Sequence, residues 1–121
     1  MVQYELPRLP YGYDDLEPFI DSETMKIHHQ KHHQSYVDGL NKSLEEVGSA
    51  SHPLYITSVL SDLKQIPESG RENINFFGGG FENHRLFWET MTPDGDGNPG
   101  GKIEDAIDVY FDNFENFKKV F

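Results

Sequence analysis

Residues 24–37 read TMKIHHQKHHQSYV, and this stretch decides how the chain folds. Met25, His28, His32 and Tyr36 are three or four positions apart, and Leu40, Leu44 and Val47 continue the same stripe. That period predicts one long helix from Asp21 or Ser22 to about Val47, with Gly48 as its stop. Four of the six histidines fall within residues 28–33. Residues four apart stack on one helix face, so His28/His32 and His29/His33 form two pairs on adjacent faces. The stripe turns the first pair toward the core and the second toward water. Gly39 lies inside the helix and should cost about 1 kcal/mol relative to Ala, which predicts a close backbone contact there.

Before this helix, Pro7, Pro10, Gly12 and Pro18 alternate with Leu and Tyr. They describe an extended, ordered arm over residues 1–20 that can lie on the remainder through Tyr11, Tyr13, Leu16 and Phe19. After it, residues 49–53 make a turn, and Pro53 suits the first turn of a short helix over about 54–64, with Leu54, Val59, Leu60 and Leu63 on one side. Residues 67–70 interrupt. A third helix is predicted over about 71–91, with Ile74, Phe77, Phe81, His84, Phe87, Trp88 and Met91 on its stripe. Gly78, Gly79 and Gly80 in its middle carry a heavy propensity penalty, so something must approach that backbone closely. Residues 92–101 (TPDGDGNPGG) read as a loop, Ile103 to Phe111 as a short helix, and Asn113 as the cap of another with Glu115 in its first turn. No useful period-2 run occurs, so the fold is mostly α. The chain divides into a helical hairpin domain over 1–91 and a linker loop with the start of a second domain over 92–121.

The composition narrows the function. With 121 residues, 36% of them hydrophobic, the core must be modest. Ten basic against 21 acidic residues give a net charge of −11. The longest basic run is Lys118-Lys119, which argues against nucleic acid and against an anionic membrane surface as partners. The bland reading of the acidity is solubility. The absence of cysteine excludes disulfides, thiol catalysis and Cys-based zinc sites. The start of the chain lacks a charged-then-apolar signal pattern, and no run nears 18 apolar residues; the expectation is a soluble, untargeted, cytoplasmic protein.

Neutral imidazole ligates Zn, Mn and Fe, so the inward pair on the long helix is a candidate ligand source, with buried hydrogen-bonded histidine as the alternative. A metalloprotease helix needs Glu directly after its first ligand His, and here His29 stands there. His84 is the other His on an apolar helical face, directly after bare glycine backbone that would let side chains and an ion come near. A satisfied core His at a glycine-packed crossing explains it equally. The loop from Asp94 to Asn98 resembles half a calcium loop but places Pro99 at the sharp turn and Asp105 where bidentate Glu belongs. The three glycines fail as a phosphate cradle, because no strand precedes them and no Lys-Ser/Thr follows.

Residues 6–18 (LPRLPYGYDDLEP), 24–37, 79–88 (GGFENHRLFW) and 113–117 (NFENF) together resemble, in order, the first three-fifths of an iron/manganese superoxide dismutase. The resemblance implies an N-terminal long-helix hairpin domain followed by the first helices of a truncated α/β C-terminal domain. It implies His28 as first and His84 as second metal ligand, with His32 and Tyr36 at the substrate gateway and Tyr36 helping to deliver protons. It further implies manganese or iron as cofactor, superoxide as substrate, and a homodimer or homotetramer when complete. The family's other ligands, an Asp and a His, come from an Asp-x-Trp-Glu-His segment. Trp88 is the sole Trp here and no His follows His84. Two of four ligands are therefore expected, and residues 1–121 alone are expected to be inactive.

Two positions bear on the metal. Phe81 stands where manganese members often carry another His, outside the ligand set. Iron members tend to carry Gln four residues before the second His, whereas Gly80 here is manganese-like, so manganese is preferred. Two other functions remain open: a non-catalytic helical association domain, and an independent metal-binding module using the inward histidines plus carboxylates. For an anionic substrate, Lys31 is the candidate for local attraction, against its ordinary role as a solvated lysine.

Overall fold

The computed structural model describes residues 3–48 and 55–121. In the first helical run, α1 (Ser22–Ile27) passes through a π turn (His28–His33) into α2 (Gln34–Glu46) without a break. Asp21 caps the start by accepting the Thr24 N–H at 2.7 Å, and Gly48 ends the run in the left-handed region at φ +63°. Next come α3 (Ile56–Ser61), a 3-10 turn (Leu63–Gln65) and α4 (Glu68–Glu89). The last two helices are α5 (Gly101–Phe111) and α6 (Phe114–Val120). The expected turn over 49–53 and the expected start of the short helix at Leu54 lie outside the described residues.

The fold class holds: the described residues are helical, and α2 packs along α4 as a long hairpin with α3 against it. Val37, Leu40, Leu44, Ile56, Val59, Ile66, Ile74 and Phe81 form its main core. A second cluster of Leu16, Met25 and Trp88 gathers Leu9, Tyr11, Tyr13 and Ile20 from the arm. The arm is ordered, as expected, and hydrogen bonds fasten it. The Asn41 amide accepts the Tyr4 N–H and donates to the Tyr4 carbonyl, both at 2.8 Å. Tyr11 donates its hydroxyl to the Trp88 carbonyl at 2.8 Å.

The phase of the first helix differs from the sequence expectation. Met25, His29, His33, Val37, Leu40, Ser43 and Leu44 are the buried positions, whereas His28 is half-buried and His32 is exposed. The reason is the π turn, whose wider i→i+5 bonding inserts one extra residue into the helix. From there the inward stripe moves one place along, from 32 to 33 and from 36 to 37. The helix over 71–91 also begins earlier. Pro67 sits at its N-cap, and Gly70 lies within it against Val47, where an added methyl would overlap the valine side chain.

Both glycine expectations hold in physical terms. A methyl at Gly39 would overlap the Phe77 ring, and one at Gly80 would overlap the Tyr36 ring. A methyl at Gly78 would stand 3.1–3.3 Å from Ile56 and Leu60, while Gly79 has open space. Farther along, Asn113 caps α6 by accepting the Asn116 N–H at 2.8 Å. α5 and α6 pack on each other through Phe111 and Phe117, and among the described residues they meet no other helix.

Gly39→Ala should therefore lower stability by about 1–3 kcal/mol through overpacking against Phe77. Gly79→Ala should raise it by about 0.5–1 kcal/mol through helix propensity alone. Urea unfolding of the two variants reads the contrast, and equal damage from both would contradict the crossing described here.

Candidate metal centre

The π turn and the middle of α4 face one another, and that meeting brings two imidazoles together. His28 Nε2 stands 3.0 Å from His84 Nε2. His84 Nδ1 carries a proton, because it donates to the Gly80 carbonyl at 2.7 Å, and a carbonyl can only accept. Its Nε2 is then a bare lone pair turned toward His28. Two imidazole nitrogens bound to one first-row ion at about 2.0–2.1 Å and near a right angle would stand about 3 Å apart. In this contact His28 Nε2–H is the donor, a proton that an ion would displace; donor type, the His84 tautomer and the spacing therefore fit two ligands of one ion. No third His, Cys, Asp or Glu joins them among the described residues.

Aromatic rings enclose the pair. The Tyr36 ring lies over His84 with centroids 5.1 Å apart, in the space that Gly80 leaves free. Phe87 and Trp88 flank His28 at 5.6 and 4.9 Å. His32 is exposed and presents its ring to His28 at 5.8 Å, at the open edge of the site. Burial, and then the neighbouring His84 and His32, lower the His28 pKa. The ring is held neutral, as a ligand must be.

The other two histidines expected to face water are structural. His29 is 6% exposed, donates Nε2–H to the Pro7 carbonyl at 2.6 Å, and accepts the Tyr13 hydroxyl at Nδ1 at 2.7 Å. Gln30 in turn donates to the Tyr13 oxygen at 3.0 Å. His29 thus ties the arm to the π turn. His33 is fully buried, donates Nε2–H to the Phe81 carbonyl at 3.0 Å, and accepts the Trp88 indole N–H at Nδ1, also at 3.0 Å. Burial drives its pKa down to about 4, so it too is neutral. Sequence periodicity missed both, since an unbroken α-helix was assumed.

Beside His84 on α4, Arg85 forks between Glu82 at 2.6 Å and Glu89 at 2.8 Å, which raises its pKa further and fixes both carboxylates. The acidic groups nearest the pair on α4 are thereby engaged. No helix among the described residues is long and apolar enough to cross a membrane.

Residues 3–92 match the family model for iron/manganese superoxide dismutases, alpha-hairpin domain. Curated relatives named superoxide dismutase (Mn) include one from Pseudomonas putida, 47% identical over 118 residues. Another, from Pseudomonas aeruginosa, is 48% identical over 118 residues. One named superoxide dismutase (Mn/Fe), from Methylomonas sp. (strain J), is 43% identical over 118 residues. Each alignment covers 98% of this chain and 57% of the relative, so the chain spans a little over half the length of these relatives.

His29→Ala should cost about 1–3 kcal/mol, because it strands the Pro7 carbonyl and the Tyr13 hydroxyl. His28→Ala should cost less than about 1 kcal/mol, because its ring is half-exposed and its single hydrogen bond can be replaced by water. Urea midpoints compare them; a larger loss in His28→Ala would mean the π turn is held from the wrong side.

Proposed function

The chain belongs to the iron/manganese superoxide dismutase family, and from that membership we propose that it contributes His28 and His84 to a redox metal centre that dismutates superoxide. The observation that carries this reading is the 3.0 Å approach of the two Nε2 atoms, with the His84 proton held away on Gly80. A manganese or iron ion held there supplies one-electron chemistry, oxidising one superoxide to dioxygen and reducing the next, with two protons, to hydrogen peroxide. Manganese is the preferred ion. Gly80 and the manganese-named relatives support it, and the Mn/Fe-named relative keeps iron as second choice.

The chain's own residues would do three things. His28 and His84 give lone pairs from two different helices, so the metal also locks the hairpin. Tyr36, whose ring lies on His84 in the space left by Gly80, would hold a proton at its hydroxyl and pass it to reduced substrate. His32 stands at the exposed edge, where superoxide and its products would pass. A cytoplasmic, antioxidant role and assembly as a homodimer or homotetramer belong to the same reading. An independent metal module would need a further donor beside the pair, and the described residues offer none.

The test joins residues 1–121 to the remaining length of the Pseudomonas putida relative. The hybrid should bind manganese stoichiometrically and dismutate superoxide, and His28→Ala or His84→Ala should remove both. Residues 1–121 alone, loaded separately with manganese and iron, should dismutate no faster than the free ion, because two imidazoles bind a divalent ion only weakly and do not set its redox potential. A hybrid that binds metal without His28 and His84 would sink the reading. Tyr36→Phe in the hybrid should keep the metal and lower turnover by about 10-fold or more, with a changed pH profile. Metal loss in that variant would instead make Tyr36 a ligand.

A further inference from the structure

His33 is a buried, doubly hydrogen-bonded histidine to which the proposed reaction gives no part. Its two partners lie seven positions apart on α4, and His84 lies between them. Phe81 and Trp88 both have unambiguous chemistry: a carbonyl can only accept and an indole N–H can only donate. His33 must therefore be neutral, with its proton on Nε2 facing the Phe81 carbonyl and a lone pair on Nδ1 facing Trp88. It is 0% exposed, so neither bond can be exchanged for water. Its ring also stacks on His84, centroids 5.1 Å apart and planes 26° from parallel. Tyr36 lies against the same His84 ring at 5.1 Å, and the Gly80 carbonyl holds its Nδ1.

We propose that His33 is the positioning residue of the site: gripping α4 at Phe81 and Trp88, it keeps the His84 ring stacked where Nδ1 meets the Gly80 carbonyl, the bond that fixes the tautomer and aims Nε2 at His28. This inference rests on the dismutase reading for its purpose, but its geometry stands without it. The π turn is what makes the arrangement possible. In an unbroken α-helix the position stacked behind His28 toward the core would be 32, and the wider turn delivers 33 there instead. One irregular turn thus places His28 on the open side and its positioning partner on the closed side.

The test uses the full 121-residue chain without metal, at about pH 8 where free imidazole is neutral. Side-chain nitrogen NMR should show His84 with its proton on Nδ1 only and His33 with its proton on Nε2 only. His33→Phe keeps the ring and its stack but removes both hydrogen bonds. In that variant His84 should become a mixture of tautomers, and cobalt(II) affinity, read by chelator competition, should fall by about 10-fold or more. If His33→Phe does not fold, Trp88→Phe removes the Nδ1 bond alone, and cobalt affinity should still fall, by about threefold or more. Either a His84 that keeps its single tautomer in the folded variant, or a cobalt affinity unchanged by it, overturns the proposal. Cobalt binding in the unmutated chain no tighter than in the His28→Ala/His84→Ala double variant would instead count against the metal-centre reading, while the tautomers still decide the role of His33.

Discussion

The close approach of the first helical run to α4 is the constraint on which everything else depends. Helix axes packed through ordinary side chains stand 8–10 Å apart, and imidazoles from such helices meet only where the side chains between them are small. Here the crossing is cleared at three levels: Gly39 admits the Phe77 ring, Gly80 the Tyr36 ring and Gly70 the Val47 side chain. At the Gly39 and Gly80 levels the aromatic side chain comes from opposite helices. Between and beyond these contacts, His28 and His84 reach 3.0 Å. Gly39 and Gly80 each cost about 1 kcal/mol of helix propensity, a loss that burial of the aromatic ring beside each more than offsets.

The π turn answers a different demand. Residues 28–33 provide one imidazole at an open site, one to hold the arm and one to brace α4, and the widened turn sets the angles at which these three leave the helix. Widening the turn sacrifices regular i→i+4 bonding locally. The compensation is visible in the buried bonds of His29 and His33, four contacts of 2.6–3.0 Å to Pro7, Tyr13, Phe81 and Trp88. Buried hydrogen bonds of this sort leave no polar group stranded, and they tie two separate segments, the arm and α4, to one turn.

Much of this was legible in the sequence, and the failures have a common cause. Asp21 and Gly48 mark the ends of the first helical run, Asn113 caps α6, and the glycines at 39 and 78–80 announce close packing; each is a local signal with a local cause. His28 and His84 were singled out by position and by resemblance, and the structure brings their nitrogens together. What could not be read was the phase over residues 28–37, because period arguments assume constant bonding and a widened turn rotates the side chains that follow it; Leu40 and Leu44 still fall on the inward face. The paired doublets His28-His29 and His32-His33 were the only trace of it. Pro67 misled for a related reason: it was read as an interruption, although a proline just before the first turn is compatible with a helix starting there.

The electrostatics of the site follow from the same crossing. A net charge of −11 repels an anionic substrate at long range, so any attraction must be local. On α4 the carboxylates flanking His84 are held by Arg85, whose guanidinium offers its fork to Glu82 and Glu89 at once. A carboxylate bound in this way projects a weaker field than a free one, and two held by one arginine leave a single negative charge. Across the crossing, the turn that carries His28 and His32 has no acidic residue between Ile27 and Ser35, and it carries the exposed cation Lys31. Within a Debye length of about 8 Å at physiological salt, the helix that offers His28 is therefore neutral to positive, and the field of the acidic remainder is screened beyond that distance. An acidic protein can in this way keep a short-range approach open to an anion, provided that its carboxylates are placed or paired as they are around His84.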